Sequence, residues 1–210
     1  MLLRVPFRPQ ESQNECGPTA LQMVLEYFGH KCSKEQLTNL VQSETNGITW
    51  TLGLARAASI LGFETEFYST CLDLNSNHHS IDFYKNVAPD AMRTKTKLAN
   101  LRTECALLGV KVAEEYLSLE EILLKINNDC LPICLIDWSR INGTEKFIGH
   151  FVPIVGYCAA NVYVHDPGLN NPRANVEIER VLFDKARQMP GTDQDIVFIH
   201  RKLPLNSIEY

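Results

Sequence analysis

The chain has 210 residues, 45% of them hydrophobic, which is about the length of one to one and a half typical domains and apolar enough for an ordinary core. Its 25 acidic and 20 basic residues leave a formal charge of -5 with no basic block, so neither nucleic acid nor an anionic membrane is expected as a partner. The start MLLRVPF is too short for a signal-peptide core and no stretch approaches transmembrane length, so no membrane insertion is expected. Seven cysteines without framework-like spacing read as free thiols of a reducing compartment; the expectation is cytoplasmic, with leaderless export left open.

Val5 to Phe7 is a short extended lead-in, because Pro6 and Pro9 discourage a helix. The organising stretch follows, Gln10 to Gly29, QESQNECGPTALQMVLEYFG. Cys16 stands where a polar turn becomes a helix, Pro18 suits the first turn, and Leu21, Val24, Leu25 and Phe28 recur on one face. A cysteine there meets unpaired N–H groups and the positive end of the helix dipole, which favour its thiolate.

Ser33 caps a second helix, with Gln36 in the capping-box position and Leu37 and Leu40 inward. Thr49 or Thr51 starts a third, running through Leu54, Ala57, Ala58 and Leu61 to Gly62, and FETEF at 63–67 is a strand. Residues from Cys71 to about Lys97 are polar, with His78 and His79 among them, and Ile81, Phe83, Tyr84 and Val87 as apolar seats. They read as a partly helical excursion, a cover over one side of a cleft, within a single domain spanning 1–210. A helix near Leu98 to Leu108, a strand VKVAEEY and a helix capped by Ser118 with Glu121 come next, the last turning Leu119, Ile122, Leu123 and Ile126 inward. ARAASILGFETEF and RTECALLGVKVAEEY echo each other as helix, Leu-Gly and strand, without establishing a duplication.

The second half is richer in strands. LPICLIDW at 131–138, HFVPIVGY at 150–157 and NVYVHDP at 161–167 predict three neighbouring antiparallel strands, with a loop over 139–149. A polar loop, a helix around Glu179 to Arg187, a turn at Pro190-Gly191 and a strand at 195–200 complete an α+β domain.

Cys16, His150 and Asp166 form a candidate catalytic set from both halves. Asp166 ends the strand that runs back from His150, so its carboxylate can orient the imidazole, which in turn can stabilise the Cys16 thiolate. Gln10 can add its amide to the Cys16 backbone N–H as an oxyanion donor, with Gln13 as competitor. Each residue also has a plain structural reading: Cys16 as a buried small side chain, Asp166 as a turn initiator before Pro167 and Gln10 or Gln13 as a turn cap. His165 should face the other side of its strand and be structural, and Asn14 and Glu15 should shape the turn. Trp138, Phe147 and Phe151 are either cleft wall or core. Cys130 with Cys134, His78 with His79 and His30 with Cys32 lack the spacing of a structural zinc site, so no metal and no cofactor is expected.

Gln10 with NECGPTALQMVLEYFG, ITWTLGLARAASILGFET and GHFVPIVGYCAANVYVHDPG resemble the peptidases fused to bacteriocin exporters and their stand-alone relatives, members of the papain-like superfamily. The resemblance spans about residues 5 to 170. It implies a papain-like fold, N-terminal helices packed on a C-terminal antiparallel sheet, with Gln10 in the oxyanion hole, Cys16 as nucleophile, His150 as base and Asp166 as its orienter. A second resemblance covers more of the chain. The segment from Trp50 through FYSTCLDLN and FYKNVA, with LFDKARQMPGTDQDIVFIHR, is similar to proteins named for a guanylyl cyclase domain, whose name implies cyclisation of guanosine triphosphate. No glycine-rich phosphate loop or acidic pair placed for magnesium accompanies it. The chain also carries neither the membrane span nor the ATPase of the exporters, so cleavage of bacteriocin leaders during export is not expected. The expected activity is cysteine-dependent hydrolysis of a peptide or isopeptide bond in a peptide or protein substrate. The alternatives are acyl transfer on the same scaffold, nucleotide cyclisation, and a catalytically silent protein-binding module.

Overall fold

A computed structural model describes residues 1–44, 48–73, 78 and 81–202, without the side chain of Val87. His79 and the Val87 side chain, named above as parts of the excursion, lie outside the described residues.

The first helix, α1 (Cys16–Tyr27), buries Leu21, Val24 and Leu25 completely, while Phe28 is half-buried and packs on Phe63. α2 (Lys34–Leu40) starts at a Ser33–Gln36 capping box and buries Leu37. Trp50 precedes α3 (Thr51–Ile60), which leads into β1 (Glu64–Ser69). Within the excursion lies α4 (Asp82–Val87). The next helix, α5 (Ala91–Leu107), begins seven residues earlier than the apolar spacing suggests, because the Asp90 carboxylate accepts from Arg93 N and caps it there. After β2 (Lys111–Glu114) comes α6 (Leu119–Lys125), again opened by a capping box, here Ser118 with Glu121.

β3 (Cys130–Asp137) and β4 (Gly149–Tyr157) are joined through a short helix, α7 (Trp138–Asn142), where the sequence suggests only a loop. The Asp137 carboxylate builds this helix, accepting from Ser139 N and Ile148 N at 3.0 Å each. β5 (Asn161–Asp166) is followed by β6 (Arg173–Glu179), α8 (Arg180–Arg187) and β7 (Ile196–His200). β6 falls where the sequence reads as a polar loop, for it is the exposed edge of the sheet and turns only Ile178 fully inward.

The seven strands form one sheet in the order β2-β1-β7-β3-β4-β5-β6, antiparallel except for the β1–β2 pair. The predicted trio β3-β4-β5 are consecutive neighbours in it, with β3 the central strand. Two strands from the helical half, β1 and β2, join the same sheet, so the two halves interlock. The echoing segments are α3–β1 and α5–β2, and their strands are the parallel neighbours. The last strand, β7, lies between β1 and β3 and pairs with both. The amino terminus adds to β4, with Leu3 N donating to Val155 O and Tyr157 N to Met1 O, each at 2.8 Å.

Candidate active site

Cys16 is the first residue of α1, and α1 packs its start against β4. That approach needs the glycine that follows. A Cβ at Gly17 would lie 3.1 Å from Thr49 Cβ and 3.2 Å from the Phe151 ring. His150 is the second residue of β4, and Asp166 is the last of β5. The register pairs Ile154 with Val164, and its continuation sets Asp166 opposite Val152, diagonal to His150 on the same face.

The geometry follows from this placement. His150 Nε2 and Asp166 Oδ1 are 2.9 Å apart, and both residues are buried. Nε2 is thereby engaged, which leaves Nδ1 for the Cys16 thiol, the ring's other electrostatic partner. Asp166 Oδ1 also accepts Gly168 N at 2.8 Å, an approach that a side chain at 168 would crowd. Arg173 reaches Asp166 Oδ2 at 3.7 Å.

Electrostatics separate Cys16 from most other thiols. All seven cysteines are free. Burial pushes Cys105, Cys130 and Cys134 up to about 12. Burial also raises Cys16, but hydrogen bonding to His150 and the charge of that ring outweigh it, and the thiol falls below its ordinary value. Burial alone would lower His150; the hydrogen bonds to Asp166 and Cys16 reverse this and raise it to about 9. Cys158 is lowered too, by backbone N–H groups of a surface turn, and it has no imidazole among its causes.

Gln10 is anchored by its backbone N–H on Pro167 O at 2.8 Å. Its Nε2 donates to Ser12 O at 3.0 Å, and its buried Oε1 has no partner among the described residues. The turn from Gln10 to Cys16 is held by Glu15, whose carboxylate accepts Ser12 N at 2.9 Å, Glu11 N at 3.1 Å and Lys34 Nζ at 3.0 Å. Asn14 supplies the left-handed residue of that turn, with φ at 65°. Both shape the turn, as their positions predict. Gln13 is exposed in the same turn. His165 faces away from the site, with Nε2 on Val5 O and Nδ1 accepting Asn175 N.

Two hollows flank the cysteine–histidine pair. On the histidine side a groove of about 290 Å³ is lined by Gln10, His150, Asp166, Trp138, Ile148, Leu169 and Arg173. Trp138 packs edge-on against His150, with ring centres 5.0 Å apart. On the cysteine side a cavity of about 90 Å³ is bounded by Cys16, Thr49, Trp50, Thr51, Phe83, Tyr84, Phe151, Asp193 and Asp195. Trp138 and Phe151 are thus both wall and core, whereas Phe147 stacks behind the cavity on Phe83 and Tyr84. Sequence reasoning missed the cavity's acids. Asp193 follows the predicted turn at Pro190-Gly191 and Asp195 opens the predicted last strand, neither with a role at the site, and the insertion of β7 between β1 and β3 carries them there. Among the described residues, no group of three or more His, Cys, Asp or Glu is arranged to hold a metal.

A cysteine at a helix start, set against an antiparallel sheet that presents a histidine and an aspartate on neighbouring strands, defines a papain-like fold, the one also seen in C39-like peptidase domains. The same fold appears in a C39-like peptidase of Bacillus anthracis (15% identity, TM-score 0.57, covering 97% of this chain and 98% of that one). It recurs in the peptidase domain of Streptococcus ComA, a bifunctional ABC transporter (16% identity, TM-score 0.52, covering 94% and 98%). A double glycine motif protease from an AMS/PCAT transporter, solved with its leader peptide, is similar as well (18% identity, TM-score 0.51, covering 95% and 94%). A guanylylate cyclase family model matches residues 5–199, and the chain belongs to that family. Guanylyl cyclase 1 of Arabidopsis thaliana is 25% identical over 214 residues, covering 93% of this chain and 75% of the relative.

Proposed function

We propose that this protein is a papain-like thiol hydrolase that cleaves a peptide or isopeptide bond through an acyl-enzyme on Cys16. One observation carries the reading: the buried His150 ring is held by Asp166 at 2.9 Å and acts on Cys16, with the thiol lowered and the ring raised by their contact. The Cys16 thiolate attacks the substrate carbonyl carbon, and the carbonyl π electrons move to oxygen. The Cys16 backbone N–H and the Gln10 amide hold that oxyanion, for which Gln10 gives up its bond to Ser12 O. Protonated His150 hands its proton to the leaving nitrogen as the C–N bond breaks. Neutral His150 then takes a proton from water as the water attacks the thioester, releasing the acid and restoring the thiolate. Asp166 fixes the tautomer throughout.

A peptide substrate is supported by the presence of a leader peptide in one structural neighbour. The test is cleavage of a peptide library, read by mass spectrometry. Cys16→Ala and His150→Ala should both lose turnover, and the thiol of the wild type should react with iodoacetamide below about pH 7 in a His150-dependent way. Full cleavage by His150→Ala would refute the assignment.

The family description favours a second reading, cyclisation of a guanine nucleotide. It predicts turnover of guanosine triphosphate that depends on a divalent metal and survives Cys16→Ser. Failure to bind the nucleotide would count against it.

A further inference from the structure

The two hollows differ in chemistry, and the mechanism assigns each a side of the scissile bond. The leaving nitrogen must meet His150 to receive its proton, so the groove beside Trp138 and Ile148 holds the leaving-group side. The cavity beside Cys16 then belongs to the acyl side. Building on the thiol-hydrolase reading, we infer that this cavity selects a lysine or arginine side chain at one of the first two residues on the acyl side of the bond.

The lining makes the case. Asp73, Asp193 and Asp195 all face the cavity, and no lysine or arginine is among the described residues that line it. Asp193 is paired with His78, and Asp73 reaches Arg102 only at 3.4 Å on the exposed rim. Among the described residues no lysine or arginine lies within ion-pair distance of Asp195, and the buried His78 is paired with Asp193. Burial first, and the charge of Asp193 second, raise Asp195 to about 7 against the smaller opposing effects of Ser69, Thr51 and His78, so the countercharge around it is incomplete. A guanidinium or ammonium group entering from Cys16 would supply that charge and make charge-assisted hydrogen bonds.

The walls suit the stem of the same side chain. Trp50 and Tyr84 lie nearly parallel with ring centres 6.2 Å apart, and Phe83 and Phe151 complete an aromatic passage. Cations are attracted to such ring faces, and long basic side chains bury their methylenes against them. The passage is braced from behind: Glu44 accepts Trp50 Nε1 at 3.0 Å and is itself paired with Lys97 at 2.9 Å, while the Tyr84 hydroxyl donates to Gly191 O. Lys97 is therefore engaged with Glu44 behind the wall.

The experiment uses dipeptide chloromethyl ketones carrying arginine at the first or second acyl-side position, each with a citrulline twin of the same shape and no charge. Cys16 Sγ displaces chloride from the probe's methylene carbon, forming a thioether, so inactivation rate reports fit without a known substrate. An arginine probe should react with Cys16 at least about tenfold faster than its citrulline twin, corresponding to about 1.4 kcal/mol. In Asp195→Asn the ratio should fall to within about twofold of one. Asp193→Asn, which keeps a residue tolerant of the left-handed φ of 46° at that position, should also reduce it and serves if Asp195→Asn does not fold. Equal rates for arginine and citrulline in the wild type, or a preference untouched by both variants, would overturn the inference. Iodoacetamide separates the two levels: a fast Cys16 reaction without arginine preference refutes the pocket alone, whereas a slow one refutes the thiol chemistry beneath it.

Discussion

Asp166→Asn isolates the charge in the chain from carboxylate to thiol. Asparagine keeps an oxygen where Oδ1 accepts His150 Nε2, so the ring retains a hydrogen-bond partner but loses its anion. His150 stands at about 9 against an ordinary 6.5, so the folded site holds the ring's proton more tightly by on the order of 3 kcal/mol, shared between Asp166 and Cys16. Losing the Asp166 charge should remove roughly half of that, about 1–2 kcal/mol. The imidazolium becomes less populated, and the thiolate loses part of its cation. The acid limb of Cys16 alkylation should then move upward by about one pH unit, and kcat/KM near neutrality should fall about tenfold to a hundredfold. Stability carries a matching sign. A folded value raised above the unfolded one contributes stability below about pH 6.5 that fades as pH rises through about 9. The variant should therefore be less stable than wild type at pH 6, with a smaller gap at pH 10. Alkylation rates between pH 5 and 10, with urea midpoints at both ends, make the test; an unmoved acid limb and an equal stability gap at both ends would refute the reasoning.

Gln10→Ala should lower kcat by roughly a hundredfold while KM changes little, because its amide is used only as the oxyanion develops; steady-state kinetics check this. Glu15→Ala leaves the Glu11 and Ser12 N–H groups and Lys34 without their shared carboxylate, costing about 1–2 kcal/mol and loosening the turn that carries Gln10, with kcat falling more than KM rises. Glu15 sits below its ordinary value despite burial, because Ser12 and Lys34 favour its charge. Its stabilisation should hold above pH 4.5 and disappear as pH drops through the lower folded value, as acid titration of wild type and variant would show. Gly17→Ala gains helix propensity but pushes against Thr49 and Phe151; a net loss of about 1–2 kcal/mol and slower alkylation of Cys16 are expected by thermal unfolding and mass spectrometry.

What the sequence discloses is what its neighbours along the chain determine. Ser33 with Gln36, and Ser118 with Glu121, meet within one helical turn, and both boxes form. The strands carrying His150 and Asp166 are apolar and adjacent in order, so their antiparallel return can be read and brings the two side chains together. α7 escapes notice because one carboxylate, Asp137, organises five residues that have no apolar period. β6 escapes because an edge strand needs little apolar patterning. The acidic cavity depends on β7 crossing between β1 and β3, a non-local pairing that no pattern around Asp193 or Asp195 announces.

The position of β7 also sets an order in time. β1 and β2 have no direct pairing to β3; they are stitched to it only when residues 196–200 arrive. A chain growing from its amino terminus can present the α1 segment early, with Cys16 at its tip, but it cannot close the sheet or seat Asp193 and Asp195 until residues 193–200 have emerged. The cavity beside Cys16 is thus completed by residues far along the chain from that thiol, and only once the last strand has paired on both sides.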